Sequence, residues 1–203
     1  MSAITVKEYT APEMNRREIY RYMQAKPCGE LESLLDRALA LSKDKLCYKV
    51  CYTELPVSKC GGVLDLGFAT TDSQDLKKCL DNCEKIILFA ATVGIELDRL
   101  ILRYGRLEPS VALCLQAIGA ERVESLCDCF CNDMANQYAM LGKVLRPRFS
   151  AGYGDLPLSL QRDIISMLQT PKRIGVTLNE SLLMSPSKSV TAIIGIKEQN
   201  ENS

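Results

Sequence analysis

The stretch from Pro109 to about Gly142, which no further proline interrupts, constrains this chain most. Apolar residues recur along it at helical spacing (Val111, Leu115, Ile118, Leu126, Phe130), with Arg122 falling between faces. That pattern predicts one long helix, over about residues 109–141, as the backbone of the core. A chain of 203 residues with 47% hydrophobic content buries about two-thirds or more of its unfolded surface, enough for one well-packed domain or two small lobes.

The elements around that helix form a mixed α and β pattern. Residues 12–43 read as two helices separated by Pro27 and Gly29. The first, NRREIYRYMQ, is capped by Asn15; the second, ELESLLDRALALSKD, has Leu31, Leu34, Leu35, Ala38 and Leu39 on one side. CYKVCYTELPV and GGVLDLGF are rich in Val, Tyr and Leu and bounded by Pro56 and Gly61-Gly62, which predicts two strands in a hairpin-like arrangement. Asp72 or Ser73 caps a short helix through Cys83, KIILFAATVG is a buried strand, and IELDRLILRYG is a helix closed by Gly105. The last third alternates loop and element: KVLRPRF, the turn SAGYGDLP, a helix PLSLQRDIISMLQ, a strand near IGVTLNES and a final strand SVTAIIGI. The expected organisation is an N-terminal helical segment over residues 1–45 packed on a core of residues 46–197, with a disordered tail at 198–203.

The 25 basic and 25 acidic residues cancel, so no long-range field draws the chain to phosphate backbones or anionic lipid. The expectation is no nucleic-acid partner and no membrane. The N-terminus lacks an apolar run of signal-peptide length and the longest apolar runs fall short of a membrane span, which together point to the cytoplasm. Ten cysteines then read as reduced thiols.

Histidine is absent, which removes the commonest general base and metal ligand and every triad built on an imidazole. Chemistry must come from carboxylates, tyrosine, lysine, cysteine or a cofactor with its own reactivity. The cysteines show no CxxC pair. Cys127 and Cys131 share a helix face from which Cys129 points away, Cys79 and Cys83 stand in the same i, i+4 relation, and Cys47 and Cys51 alternate with Tyr48 and Tyr52 on a strand. Buried thiols acting as small hydrophobes account for this pattern better than a metal or redox centre does.

The segment RPRFSAGYGDLP, residues 146–157, has a different character. Gly152 and Gly154 let the backbone approach a ligand without a Cβ, the Arg148 guanidinium can take a carboxylate in a bidentate pair, and Tyr153 offers a flat face with a polar tip. An ordinary tight turn with a surface arginine accounts for the same residues. Further on, LNESLLMSPSKSV places Glu180 and Ser181 beside an apolar run and a proline-interrupted turn; a strand end with Met184 packed into the core is the plainer account.

In order, these segments resemble the C-terminal activation domain of cobalamin-dependent methionine synthase. That family has an Arg-x-x-x-Gly-Tyr stretch before a helix, then Leu-x-Glu-Ser-x-x-Met-x-Pro and a Ser-Val strand. Here the matching residues are Arg148 to Gly152-Tyr153, then Leu178, Glu180, Ser181, Met184 and Pro186, then Ser189-Val190. Upstream, QAIGAERVESL is similar to the family helix that carries a ligand-facing glutamate, here Glu124. The similarity spans roughly residues 105–196. It implies an α+β fold, with a twisted, mostly antiparallel sheet flanked by helices, a shallow S-adenosylmethionine groove, and a surface that docks on cobalamin carried by a partner.

Carried over, Arg148 binds the methionine carboxylate, Ala151, Gly152 and Tyr153 offer backbone and aromatic contacts, and Glu124 faces the ligand. Glu180, Ser181 and Met184 face the corrinoid or serve structure. Where the family has an aromatic pair after Ser-Val, this chain has Ile194 and Gly195, so only backbone contacts remain there. The sequence holds no placeable counterpart of the family's N-terminal ligand-binding aspartate, and Gly154-Asp155 replaces a Pro-rich continuation. The resemblance further implies a corrinoid-binding methionine synthase lacking its own activation domain as partner, and a flavodoxin- or ferredoxin-like reductant. The domain would then act as a component of that methyltransferase, with the nucleophile supplied by the partner's corrinoid. A different class of function is a non-catalytic module that docks on and caps a corrinoid protein, and Ile194 and Gly195 are the residues that favour it.

Overall fold

The computed structural model of the chain describes residues 3–199. In chain order it contains β1 (Thr5–Tyr9), α1 (Arg16–Met23), α2 (Gly29–Ser42), β2 (Tyr48–Pro56), β3 (Ser58–Cys60), β4 (Val63–Asp65), β5 (Thr70–Thr71), α3 (Gln74–Cys79) and β6 (Lys85–Thr92). There follow α4 (Ile95–Leu107), α5 (Pro109–Ala139), β7 (Lys143–Leu145), a 3-10 turn (Leu158–Leu160), α6 (Gln161–Leu168), α7 (Thr170–Arg173), β8 (Thr177–Leu178), β9 (Met184–Ser185) and β10 (Ser189–Glu198). Five strands in the order β1-β2-β6-β10-β7 form one sheet whose neighbours are all antiparallel. The architecture is the expected α+β one.

Period-2 alternation gives the central strands two buried faces. Along β6, Ile87, Phe89 and Ala91 enter one cluster while Ile86, Leu88 and Ala90 enter another. The first cluster holds α1, α2, α4 and α5 against the sheet; the second holds α3, α6 and the short strands on the opposite face. Both faces being apolar, these strands read as continuous hydrophobic runs.

The long helix is 31 residues, about 46 Å at 1.5 Å per residue, and starts with Pro109 in its first turn, where a missing N–H costs nothing. It crosses the sheet with Phe130 wedged against Phe89 (4.8 Å between ring centroids) and Tyr52 (5.2 Å). Where α4 crosses α5, Gly119 has no room for a side chain: a Cβ there would lie 2.5 Å from Leu97 Cδ2 and 2.8 Å from Lys188 Cγ. Asn15 caps α1 through its side-chain oxygen, as expected.

Several expectations are corrected. The segment before residue 45 is not wholly helical, because Thr5–Tyr9 pairs with β2 as the sheet's edge. CYKVCYTELPV and GGVLDLGF do not pair with each other: β2 lies between β1 and β6, and β4 pairs with β3 and β5. A strand buried on both faces takes central partners, whereas the Gly61-Gly62 turn closes only the small β3–β4 hairpin. Gly105 does not end α4, which runs to Leu107; Gly105 sits exposed within the helix, and the bar to continuation is Pro109, which disfavours helical backbone at Glu108. Ser73 caps α3, but the helix ends at Cys79 and Asn82 turns left-handed (φ 57°) before Cys83. The expected tail starts too early, since β10 continues through Glu198, which pairs with Lys143; residues 200–203 lie outside the described residues.

Candidate functional site

Residues 146–149 run along β10 beyond β7. Arg146 N–H donates to the Gly195 carbonyl (2.8 Å), and Phe149 exchanges backbone hydrogen bonds with Ile193 (2.8 Å each). This strand-like course sends neighbouring side chains to opposite faces of the sheet. Phe149 packs into the second cluster, while Arg148 turns toward α5.

There Arg148 Nη2 donates to Glu124 and lies 3.5 Å from Asp128 Oδ1, one helical turn further along α5. Among the described residues neither Nε nor Nη1 of Arg148 has an acceptor, so both nitrogens keep free donors. Arg148 lines a cleft of about 420 Å³ between α5 and the post-β7 segment, together with Asp128, Cys131, Asn132, Leu145, Arg146 and Ile194 among others. Burial raises the Asp128 carboxyl above the ordinary carboxylate range, although Arg148 pulls it down.

A second cleft of about 620 Å³ adjoins the first along α5 and shares Asp128 and Asn132 with it. Its far wall is residues 12–17, the strap that joins β1 to α1. The strap is held by an ion pair inside the protein. Glu121 accepts from Arg122 Nε (2.5 Å), Ser125 Oγ (2.8 Å) and the Asn15 N–H (2.9 Å), and Arg122 donates to the carbonyls of Pro12 (2.6 Å) and Glu13 (2.9 Å). Arg122, which falls between faces in the sequence pattern, is thus wholly buried and bonded to a segment more than 100 residues away.

The loop after Phe149 is tied to the other side of the molecule. Asp155 accepts from Ser73 Oγ and from the backbone N–H groups of Gln74 (2.6 Å) and Asp75 (3.3 Å), so it supplements Ser73 at the start of α3. These bonds hold its carboxyl below the usual range, the Ser73 hydroxyl contributing most. Gly152 and Gly154 take left-handed backbone (φ 85° and 54°), and a Cβ on Gly154 would meet Asp75 Oδ2 at 2.5 Å. Ala151 is buried in the second cluster, whereas Tyr153 is 70% exposed with its ring edge-on to Phe149.

Of the residues singled out in the sequence, Arg148 and Ile194 line the α5 cleft and Glu124 is bonded to Arg148 behind it, while Ala151, Gly152 and Tyr153 lie on the loop over the second cluster. Gly195 faces away from the cleft, and a Cβ there would meet Cys83 Sγ (2.7 Å), Leu80 Cδ2 (2.8 Å) and Arg146 Cγ (3.1 Å). Glu180 and Ser181 are exposed at the turn of the β8–β9 hairpin, where Arg162 Nη2 donates to the Glu180 carbonyl (3.3 Å) and Met184 packs partly into the second cluster. Sequence reasoning missed Asp128 and the strap. Asp128 could have been found one turn after Glu124 on the same helix face; nothing local marks the strap. Among the described residues no group of three or more His, Cys, Asp or Glu side chains is placed to hold a metal ion, and no helix is long and apolar enough to cross a membrane.

No protein-family profile matches the chain, and no curated protein does. Solved structures do. The crystal structure of the MetH reactivation domain bound to AdoHcy is similar over 100% of this chain and 81% of that one, with a TM-score of 0.71 at 12% identity. The two chains share one fold, the one that the motifs after residue 105 imply.

Proposed function

We propose that this chain, built on the fold of a reactivation domain that binds AdoHcy, is an S-adenosylmethionine-binding accessory domain for the reductive remethylation of cob(II)alamin on a cobalamin-dependent methionine synthase. The observation that carries the reading is Arg148, a guanidinium with free donors that lines a cleft beside the long helix. Each of the two adjoining clefts falls in the usual size range of small-molecule sites, about 300–1,000 Å³, and their walls mix carboxylate, amide, hydroxyl and apolar groups.

In this reading Arg148 holds the amino-acid carboxylate, Glu124 faces the ligand while keeping Arg148 in place, and Ile194 supplies an apolar floor. Ala151 to Tyr153, on the loop over the second cluster, line neither cleft and have no contact assigned to them in this reading. Two bound groups supply the chemistry, a methyl on the sulfonium and a nucleophilic corrinoid on a partner synthase, with an electron from a flavodoxin- or ferredoxin-like donor. The chain's own contribution is orientation, which is worth on the order of 7–11 kcal/mol when reacting groups are well aligned. No acid or base is required of it, in keeping with a sequence that has no histidine.

Calorimetric titration with S-adenosylmethionine tests the reading. Binding is expected below millimolar ligand, with Arg148→Ala weakening it by a few kcal/mol; a folded protein that shows no heat at millimolar ligand refutes it. The second reading, a capping module, is favoured by Ile194 and Gly195, which bring no aromatic ring to the groove. Reconstitution with an oxidised corrinoid partner separates the two, since turnover restored by added ligand supports reactivation and complex formation without turnover supports capping.

A further inference from the structure

Arg148 is flanked by two carboxylates that are not equivalent. Glu124 is 39% exposed and accepts directly from Nη2, whereas Asp128 is 68% exposed and stands 3.5 Å from the same nitrogen. Asp128 also lies at the junction of the two clefts, being one of two residues that line both. An α-amino acid carries its carboxylate and its ammonium on a single carbon, so a carboxylate seated on the free donors of Arg148 brings the ammonium within reach of an acid beside that arginine. Asn132, the other shared residue, carries no charge.

We propose that Asp128 receives the α-ammonium group of the ligand's amino-acid end while Arg148 receives its α-carboxylate, which makes Asp128 the residue that selects amino-acid-bearing nucleosides. The assignment rests on the reading given under Proposed function and adds a specificity residue to it. Glu124 stays on Arg148 and keeps the guanidinium aimed, and the looser Asp128 exchanges a long contact for a charge-assisted hydrogen bond. Among the described residues Asp128 meets a cation only at Arg148 Nη2, 3.5 Å away and already bonded to Glu124, so an arriving ammonium finds a carboxylate with one long, shared contact.

The test uses the full chain and two ligands, AdoHcy and its analogue lacking only the α-amino group, with dissociation constants measured for wild type and Asp128→Asn. Asp128 is exposed, and the variant's melting temperature, measured alongside, is expected to match wild type. The expected result is that Asp128→Asn weakens AdoHcy by at least about tenfold and leaves the desamino analogue within about twofold. Equal losses for both ligands, or no loss for either, overturn the assignment while leaving the reading it rests on intact. A selective loss in Glu124→Gln and not in Asp128→Asn also overturns it. Failure of the wild type to bind either ligand overturns both.

Discussion

Glu121 and Arg122, neighbours in the sequence, meet at 2.5 Å with both side chains 2% exposed, and together they hold residues 12–15 to the middle of the long helix. Adjacent residues on a helix normally face apart; here the strap passes between their directions and draws both side chains to it. Removing one partner leaves a buried charge uncompensated. Glu121→Ala is therefore expected to destabilise the protein by about 3–5 kcal/mol, while a double replacement by apolar residues of similar size comes close to wild type. Urea denaturation midpoints measure both, and a single variant within about 1 kcal/mol of wild type is incompatible with this account.

Ser73 and Asp155 tie the glycine-bearing loop to the start of α3. Ser73→Ala removes the N-cap hydroxyl, at a cost of roughly 1 kcal/mol, and frees one bond to Asp155. Asp155→Ala is expected to speed amide hydrogen exchange through residues 150–156 with little change at α5. Uniform acceleration across the chain would show that the loop has no separate anchor.

The thiols should divide by burial. Cys28 is exposed, while Cys51, Cys114 and Cys127 are buried, and burial pushes the Cys51 thiol up to about 12. A thiol-specific reagent at neutral pH is expected to modify Cys28 within minutes and to reach Cys51, Cys114 and Cys127 only on unfolding. Mass spectrometry of peptides from briefly labelled protein reads this directly, and early modification of Cys127 would contradict the packing.

Lys7 donates to Asp133 at 2.5 Å and Tyr9 donates to the same carboxylate at 2.9 Å, which docks edge strand β1 onto α5. These bonds hold the Asp133 carboxyl below the usual range, the Lys7 bond contributing most. A carboxyl depressed by folding adds stability above its unfolded pKa and loses it as pH falls through the folded value. The difference in stability between wild type and Asp133→Asn should accordingly be present at neutral pH, shrink below about pH 4 and vanish under stronger acid. Parallel melting curves across that range test it, and a difference constant with pH would exclude the ionised contact.

Much of the frame was legible in the sequence because its signals are local. Asn15 before an amphipathic run marked α1, Ser73 marked α3, and the uninterrupted periodicity after Pro109 marked α5. What escaped depends on partners remote in sequence. Thr5–Tyr9 is a half-exposed edge strand with little apolar content, and only β2 some 40 residues later makes it a strand. Residues 148–153 read as one cluster, yet the bridge between Phe149 and Ile193 sends Arg148 to the α5 side and Phe149 to the other. The strap cleft joins residues 12–17 to 125–132, and no window of sequence contains both.

One wall of the groove is a rigid ruler. Glu124, Ser125, Asp128, Cys129 and Asn132 follow one another on a single α5 face, so the spacing from Glu124 to Asn132 is about 12 Å, fixed by helical pitch. Inserting or deleting one residue between them would swing everything downstream by about 100° and dismantle the row. The exposed segment between β1 and the bonded residues of the strap has no such phase to keep. Divergence among chains of this fold that take longer or shorter ligands should therefore appear as altered loop lengths opposite a helix of constant gauge.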